Sequence, residues 1–188
     1  MPGARADRSA TAKRKASEGT VYVGILGKGT VGDAFRRLLT DRADRVAEET
    51  GMRPRITGVL GREQGDFEEI LAASDVIVEL IGGTDPALEY VSQALRSGRN
   101  VITANKQLIA QHGDELVEAA SQGGAQLRYE AAVAGAIPVI RVVQESLATI
   151  EIEKVFGIVN GTTNYILSEM AREGISYEQA LKQAQELG

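Results

Sequence analysis

Three glycines, Gly27, Gly29 and Gly32, stand in the spacing G-x-G-x-x-G, directly after an apolar run that begins at Val21 and ahead of a long helical pattern. A strand, a tight turn and the start of a helix, in that order, make a seat for a pyrophosphate. The first glycine permits the bend, the second leaves no side chain in the anion's way, and the third lets the helix pack close to the strand. Free N–H groups of the first helical turn and the positive end of the helix dipole then face the anion. Gly27, Gly29, Thr30, Val31 and Gly32 are therefore the candidate residues for holding a dinucleotide. The spacing alone is weak evidence in a chain with 21 glycines; its context between strand and helix gives it weight. The plain alternative is a tight strand–helix turn with no ligand.

Two further segments could do chemistry. Gly82-Gly83-Thr84 closes the apolar run Asp75 to Ile81, and Lys106 follows Thr103-Ala104-Asn105. Both lie at the carboxyl ends of predicted strands, where ligands bind in open α/β sheets. Small residues let a cofactor pass, Thr84 offers a hydroxyl, and Lys106 places a positive charge at the same edge. The plainer readings are a strand terminator before a helix capped by Asp85, and a surface lysine at a helix start.

The end of the second predicted strand bears on the choice of cofactor. An NAD site usually places an acidic residue there to accept from the ribose hydroxyls. This chain reads Val59-Leu60-Gly61-Arg62-Glu63. Arg62 suits a 2′-phosphate instead, which favours NADP over NAD. Glu63 would serve NAD only if the strand ran longer, and a solvated loop charge is the plain reading of Arg62. His112, the one histidine, has no partner pattern and reads as a surface or capping residue.

The elements that position these residues alternate. After the first strand, Val31 to Glu49 reads as one helix with apolar positions Val31, Phe35, Leu38, Leu39 and Val46. Strands are predicted at Arg55 to Leu60, Asp75 to Ile81, Asn100 to Thr103 and Gln126 to Glu130. Helices are predicted at Phe67 to Ala73, after Asp85-Pro86 with buried Leu88, Val91, Ala94 and Leu95, at Lys106 to Gln122 and at Ala136 to Leu147. Strands alternating with helices imply an α/β fold with a doubly wound parallel sheet, Rossmann-like, over residues 20–149. From 150 to 188 the pattern changes. A strand beginning near Ile150 and two helices, Asn160 to Arg172 and Ser176 to Leu187, read as the start of a second α+β domain. Ser176 and Gln179 resemble a capping box.

Composition removes several classes. A net charge of −5 disfavours nucleic acid as a partner. The absence of Cys removes disulfides, thiolate catalysis and Cys-ligated metals, and suits a cytoplasmic protein. No apolar run approaches the ~20 residues of a membrane span. Residues 1–19, rich in Ala, Arg, Lys and Ser, read as a disordered tail; a targeting peptide is disfavoured by Asp7 and Glu18.

Taken in order, several segments resemble homoserine dehydrogenase. They are Gly27-Lys28-Gly29-Thr30-Val31-Gly32, Glu79-Leu80-Ile81-Gly82-Gly83-Thr84-Asp85-Pro86, Thr103-Ala104-Asn105-Lys106, the run from Tyr129 to Pro138, and Gly157-Ile158-Val159-Asn160-Gly161-Thr162-Thr163-Asn164-Tyr165-Ile166-Leu167. The resemblance implies NAD(P)-dependent interconversion of L-homoserine and L-aspartate 4-semialdehyde, a step toward threonine and methionine. It implies that Lys106 lies near nicotinamide and substrate, and that the stretch Asn160 to Asn164 walls the substrate cleft. It further implies a monovalent cation, sodium or potassium, held by Glu130 and by main-chain oxygens of Val133, Gly135 and Ile137. Oxygen ligands suit such a hard cation, and a strand–helix loop without an ion is the plain alternative. The family's substrate-binding Glu and its catalytic Asp and Lys have no counterpart in these residues. The chain therefore reads as an N-terminal fragment that is inactive alone, from an enzyme that forms homo-oligomers. A dehydrogenase that phosphorylates aspartate semialdehyde is disfavoured because it needs a nucleophilic Cys. A non-catalytic nucleotide-binding regulatory module is the remaining alternative.

Overall fold

β1 (Thr20–Leu26) alternates its side chains between two apolar layers, and the rest of the sheet grows from it. Val23 and Ile25 point to one face; Gly24 and Leu26 point to the other, beside Ile70 and Ile77. In this computed structural model, residues 19–158 and 160–187 are described. The expected tail, apart from Gly19, lies outside the described residues. Two units divide the chain, one ending at Val142 and the other beginning at Val143.

The first unit carries a parallel sheet in the order β2-β1-β3-β4-β5. The other strands are β2 (Arg53–Leu60), β3 (Val76–Glu79), β4 (Asn100–Thr103) and β5 (Leu127–Arg128). Between them run α1 (Thr30–Asp41), α2 (Ala43–Thr50), α3 (Phe67–Ala73), α4 (Ala87–Arg96) and α5 (Lys106–Gly123). Helix α1 sends Phe35 and Leu39 onto Val23, Ile25 and Val78. The larger layer joins Leu26, Ile77 and Val101 to Ile70, Val91, Leu95, Leu108 and Leu116 from α3, α4 and α5. Phe67 and Tyr90 stack with ring centroids 4.2 Å apart, tying α3 to α4. The expected α/β, Rossmann-like parallel sheet is what the chain forms.

Several elements differ from the sequence reading. The single helix expected over Val31 to Glu49 is two, broken at Arg42, which has φ −102° and ψ 6°. Val31 and Leu38 are exposed, not core. Val31 lies in the first turn of α1, beyond the carboxyl end of β1, and Leu38 lies to the side of the Phe35–Leu39 stripe that packs on the sheet. Asp85 does not cap α4: Pro86 occupies the flanking position, which leaves Asp85 one residue too far out. The Asp85–Pro86 peptide is cis. The expected strand Gln126 to Glu130 keeps two residues, and Glu130 instead opens the short helix α6 (Glu130–Val133). In place of a helix from Ala136 to Leu147 stand α7 (Val139–Arg141) and a π turn over Val142–Ser146.

In the second unit, no strand forms over the described residues near Ile150. Helices α8 (Gly161–Glu173) and α9 (Tyr177–Leu187) pack on each other, with Ile166 and Ala180 as the unit's buried apolar residues among those described. The capping box is present: Gln179 N–H donates to Ser176 Oγ at 3.3 Å, and Ser176 N–H donates to Gln179 Oε1 at 3.1 Å. The Glu178 carboxyl is held below its usual range by its own backbone N–H and by the Ser176 hydroxyl.

Candidate functional site

The strand order reverses direction at β1: β2 lies on one side of it and β3 on the other. In open parallel sheets a crevice forms at such a point, outside the carboxyl ends of the strands. Here the glycine turn leaves β1 and the Gly82–Gly83 turn leaves β3, so both flank that crevice.

Each glycine of the first turn has a distinct geometry. Gly27 has φ +116°, and a Cβ there would stand 2.5 Å from the Leu80 carbonyl oxygen. Its N–H donates to Leu60 O at 2.9 Å, so Gly27 shapes the bend and its donor is already used. Gly32 lies against the Gly27 carbonyl, where a Cβ would come within 1.9 Å. Gly29 faces open space, with nothing within 4 Å of a Cβ position. It is the N-cap of α1 and brings no side chain to the helix end. The first intrahelical bond is Asp33 N–H to Gly29 O, at 2.9 Å. The N–H groups of Thr30, Val31 and Gly32 thus lie ahead of the helical ladder and need an outside acceptor. An anion fits this cradle: donors, open space and the positive helix end coincide.

Beside the turn, Lys28 Nζ donates to Gln64 Oε1 at 2.5 Å, and Gly61 N–H donates to Gln64 O at 2.7 Å. These bonds fold the loop after β2 back toward the glycine turn. Arg62 stands exposed on that loop. Across the crevice, Gly82 and Gly83 have φ +81° and +72°, with open space at both Cβ positions.

A buried carboxylate organises this second wall. Glu79, the last residue of β3, is fully enclosed. Its Oε1 accepts from Ile81 N–H at 2.7 Å, from Gly82 N–H at 3.4 Å and from Asn105 Nδ2 at 3.4 Å. Its Oε2 accepts from the hydroxyl of Thr103, its register partner on β4, at 2.5 Å. Asn105 Nδ2 also donates to Gly83 O at 2.5 Å, while its Oδ1 caps α5 by accepting from Leu108 N–H at 3.1 Å. Lys106, exposed, is the first residue of α5. A cation in a helix's first turn opposes the dipole, so helix stability does not explain it.

The Glu130 loop lies farther along the same unit. Glu130 Oε1 accepts from Arg141 N–H at 3.0 Å, and Gly135 turns the chain with φ +62°. Ile137 O accepts from Val139 N–H at 2.8 Å. Among the described residues, no three His, Cys, Asp or Glu side chains converge as metal ligands. His112 interrupts α5 with φ −131°, and its Nδ1 lies 3.5 Å from Glu115 Oε2. That is a local surface pairing.

Residues 27–130 match the family model described as homoserine dehydrogenase, NAD binding domain, and residues 138–188 match the model described as homoserine dehydrogenase. The chain belongs to the homoserine dehydrogenase family. It is 40% identical over 184 residues to the homoserine dehydrogenase of Bacillus subtilis, covering 89% of this chain and 42% of that protein. A crystal structure of a homoserine dehydrogenase from Thiobacillus denitrificans superposes with a TM-score of 0.83 at 38% identity, covering 92% of this chain and 44% of that one. A hyperthermophilic archaeal homoserine dehydrogenase in complex with NADPH gives 0.76 at 26% identity, covering 90% of this chain and 61% of that one. The chain thus spans less than half the length of the curated relatives it matches.

Within this chain, the structure brings forward residues that the sequence does not single out. Glu79 and Lys28 stand there only as members of longer motifs. The signal for Glu79 is a lone carboxylate ending an apolar strand, with Thr103 ending a later one. No helix among the described residues is long and apolar enough to cross a membrane.

Proposed function

We propose that this chain is the dinucleotide-binding part of an NADP-preferring homoserine dehydrogenase, a cytoplasmic homo-oligomer that interconverts L-homoserine and L-aspartate 4-semialdehyde. The observation that carries this is the open space over Gly29 together with the unladdered N–H groups of Thr30, Val31 and Gly32, at the point where the sheet reverses. The coenzyme, when bound, supplies the hydride acceptor or donor. The chain's own residues do the rest. The first turn of α1 takes the pyrophosphate. Arg62, on the loop that Lys28 and Gln64 fold toward the turn, pairs with the 2′-phosphate. Gly82 and Gly83 leave room for the reactive end, and Thr84 offers its hydroxyl there. Lys106 holds a positive charge where the substrate's carboxylate or carbonyl lies, which favours charge developing on oxygen.

Glu130, with the carbonyls of Val133, Gly135 and Ile137, forms the seat for a sodium or potassium ion. The Gly135 turn and the all-oxygen donor set support it. The family's substrate-binding Glu and its catalytic Asp and Lys fall outside the motifs matched here, so the 188 residues alone bind coenzyme without turning over substrate. A non-catalytic nucleotide-binding module would share the glycine turn but has no use for Lys106. Assay of a whole protein carrying this chain decides between the two. NADP-linked oxidation of L-homoserine that falls about 100-fold in kcat/KM with Lys106→Ala is expected, the scale of a lost electrostatic contact in the transition state. An unchanged value would remove Lys106 from the site, and no oxidation would remove the dehydrogenase reading.

A further inference from the structure

Strands β3 and β4 hold one carboxyl group, that of Glu79, deep in the sheet. Among the described residues, Glu79 forms no ion pair, and it accepts from two backbone N–H groups, one hydroxyl and one amide. A buried carboxylate is costly unless such donors converge on it. Ordinary packing would be served as well by a Leu at this position. What the carboxylate does that a Leu cannot is grip two separate chain segments with one rigid group.

One segment is the turn after β3. Ile81 and Gly82 N–H groups point at Oε1, which fixes the start of the Gly82–Thr84 wall. Glycines at φ +81° and +72° have little intrinsic preference for that path, so an anchor is needed. The other segment is the turn after β4. Thr103 Oγ1 donates to Oε2 and accepts from Asn105 N–H at 2.9 Å. Asn105 then reaches across to Gly83 O and also caps α5, whose first residue is Lys106. The path from Glu79 to each wall is therefore one or two hydrogen bonds long.

We propose that Glu79 is a positioning residue for the reactive half of the dinucleotide: its carboxylate locks the Gly82–Thr84 turn and the Asn105–Lys106 helix start into one relative geometry. This rests on the cofactor reading above. It assigns the adenosine half to the glycine turn and Arg62, and the nicotinamide half to a wall that Glu79 holds. The two halves of the coenzyme therefore respond differently when Glu79 is changed.

The test titrates the 188-residue chain with NADPH and separately with adenosine 2′,5′-bisphosphate, which carries only the adenosine half. Glu79→Gln keeps the shape and Oε1 but turns an NH2 group toward Thr103. It should weaken NADPH about five-fold, the scale of one ordinary net hydrogen bond. Glu79→Leu removes every acceptor and should weaken NADPH about 30-fold or more. Adenosine 2′,5′-bisphosphate should bind both variants within about two-fold of the unaltered chain. Amide hydrogen exchange at Ile81, Gly82 and Asn105 should accelerate in the same order, with the β1 amides unaffected. If Glu79→Leu fails to melt cooperatively, Glu79→Gln decides alone. NADPH affinity equal to the unaltered chain's overturns the proposal, as does a parallel loss of both probes, which would mark a purely structural residue. An unaltered chain that binds neither probe overturns the cofactor reading itself, and this proposal with it.

Discussion

Gly32 rests on the carbonyl of Gly27, so closely that a Cβ on Gly32 would stand 1.9 Å from that oxygen. Gly29, between them, faces open space. The same motif thus contains one glycine needed for packing and one whose bareness serves no neighbour in the chain. Gly32→Ala must push the helix off the turn, and it should cost about 1–3 kcal/mol in urea or thermal unfolding. Gly29→Ala meets nothing and should cost less than about 1 kcal/mol, mainly through a poorer N-cap. Equal destabilisation by the two substitutions would contradict the division of roles.

Arg62 and the Lys28–Gln64 bond bear on coenzyme choice. Arg62→Ala should weaken NADPH about ten-fold while leaving NADH within about two-fold, as expected for loss of a charge-assisted phosphate contact. Gln64→Ala frees the loop and should move selectivity the same way by a smaller factor. Parallel loss of both coenzymes in a direct titration would assign Arg62 to general attraction and not to the 2′-phosphate.

The Glu130 loop carries the cation proposal. A whole protein bearing this chain should be more active in sodium or potassium chloride than in tetramethylammonium chloride at equal ionic strength. Glu130→Ala should abolish the difference by removing the one carboxylate from an oxygen site. Equal rates in all three salts would leave the loop as a connector.

The second unit exposes Phe156 at 88%, Val155 at 78% and Ile158 at 76%. Apolar side chains left in water favour association wherever they can be covered. Light scattering should show concentration-dependent association of the 188-residue chain, and Phe156→Ser with Ile158→Ser should reduce it. A monomer at all concentrations would contradict this.

The sequence was most readable where local rules act alone. Helix α3 at Phe67–Ala73 and strand β4 at Asn100–Thr103 follow from periodicity and flanking residues, and the Ser176–Gln179 capping box follows from spacing. The break at Arg42 was not readable, because no Gly or Pro marks it. The run after Ala136 has helical composition, but its chain turns at Gly135 and Pro138 and gives only α7 and a π turn. In the site, the glycines were legible because their role is steric and local. Glu79 was not, because its Thr103 and Asn105 partners lie 24 and 26 residues away and meet it only through the β3–β4 register.

Calorimetric titration of the folded 188-residue chain with NADPH, run beside Gly29→Asp, tests the dinucleotide site most directly. Saturable binding at one site per chain is expected. The variant should lose binding while its circular dichroism and melting stay the same, because the introduced carboxylate puts a negative charge where the pyrophosphate lies. A well-folded chain that takes up no NADPH, or a Gly29→Asp variant that binds as tightly as the original, would contradict the assignment.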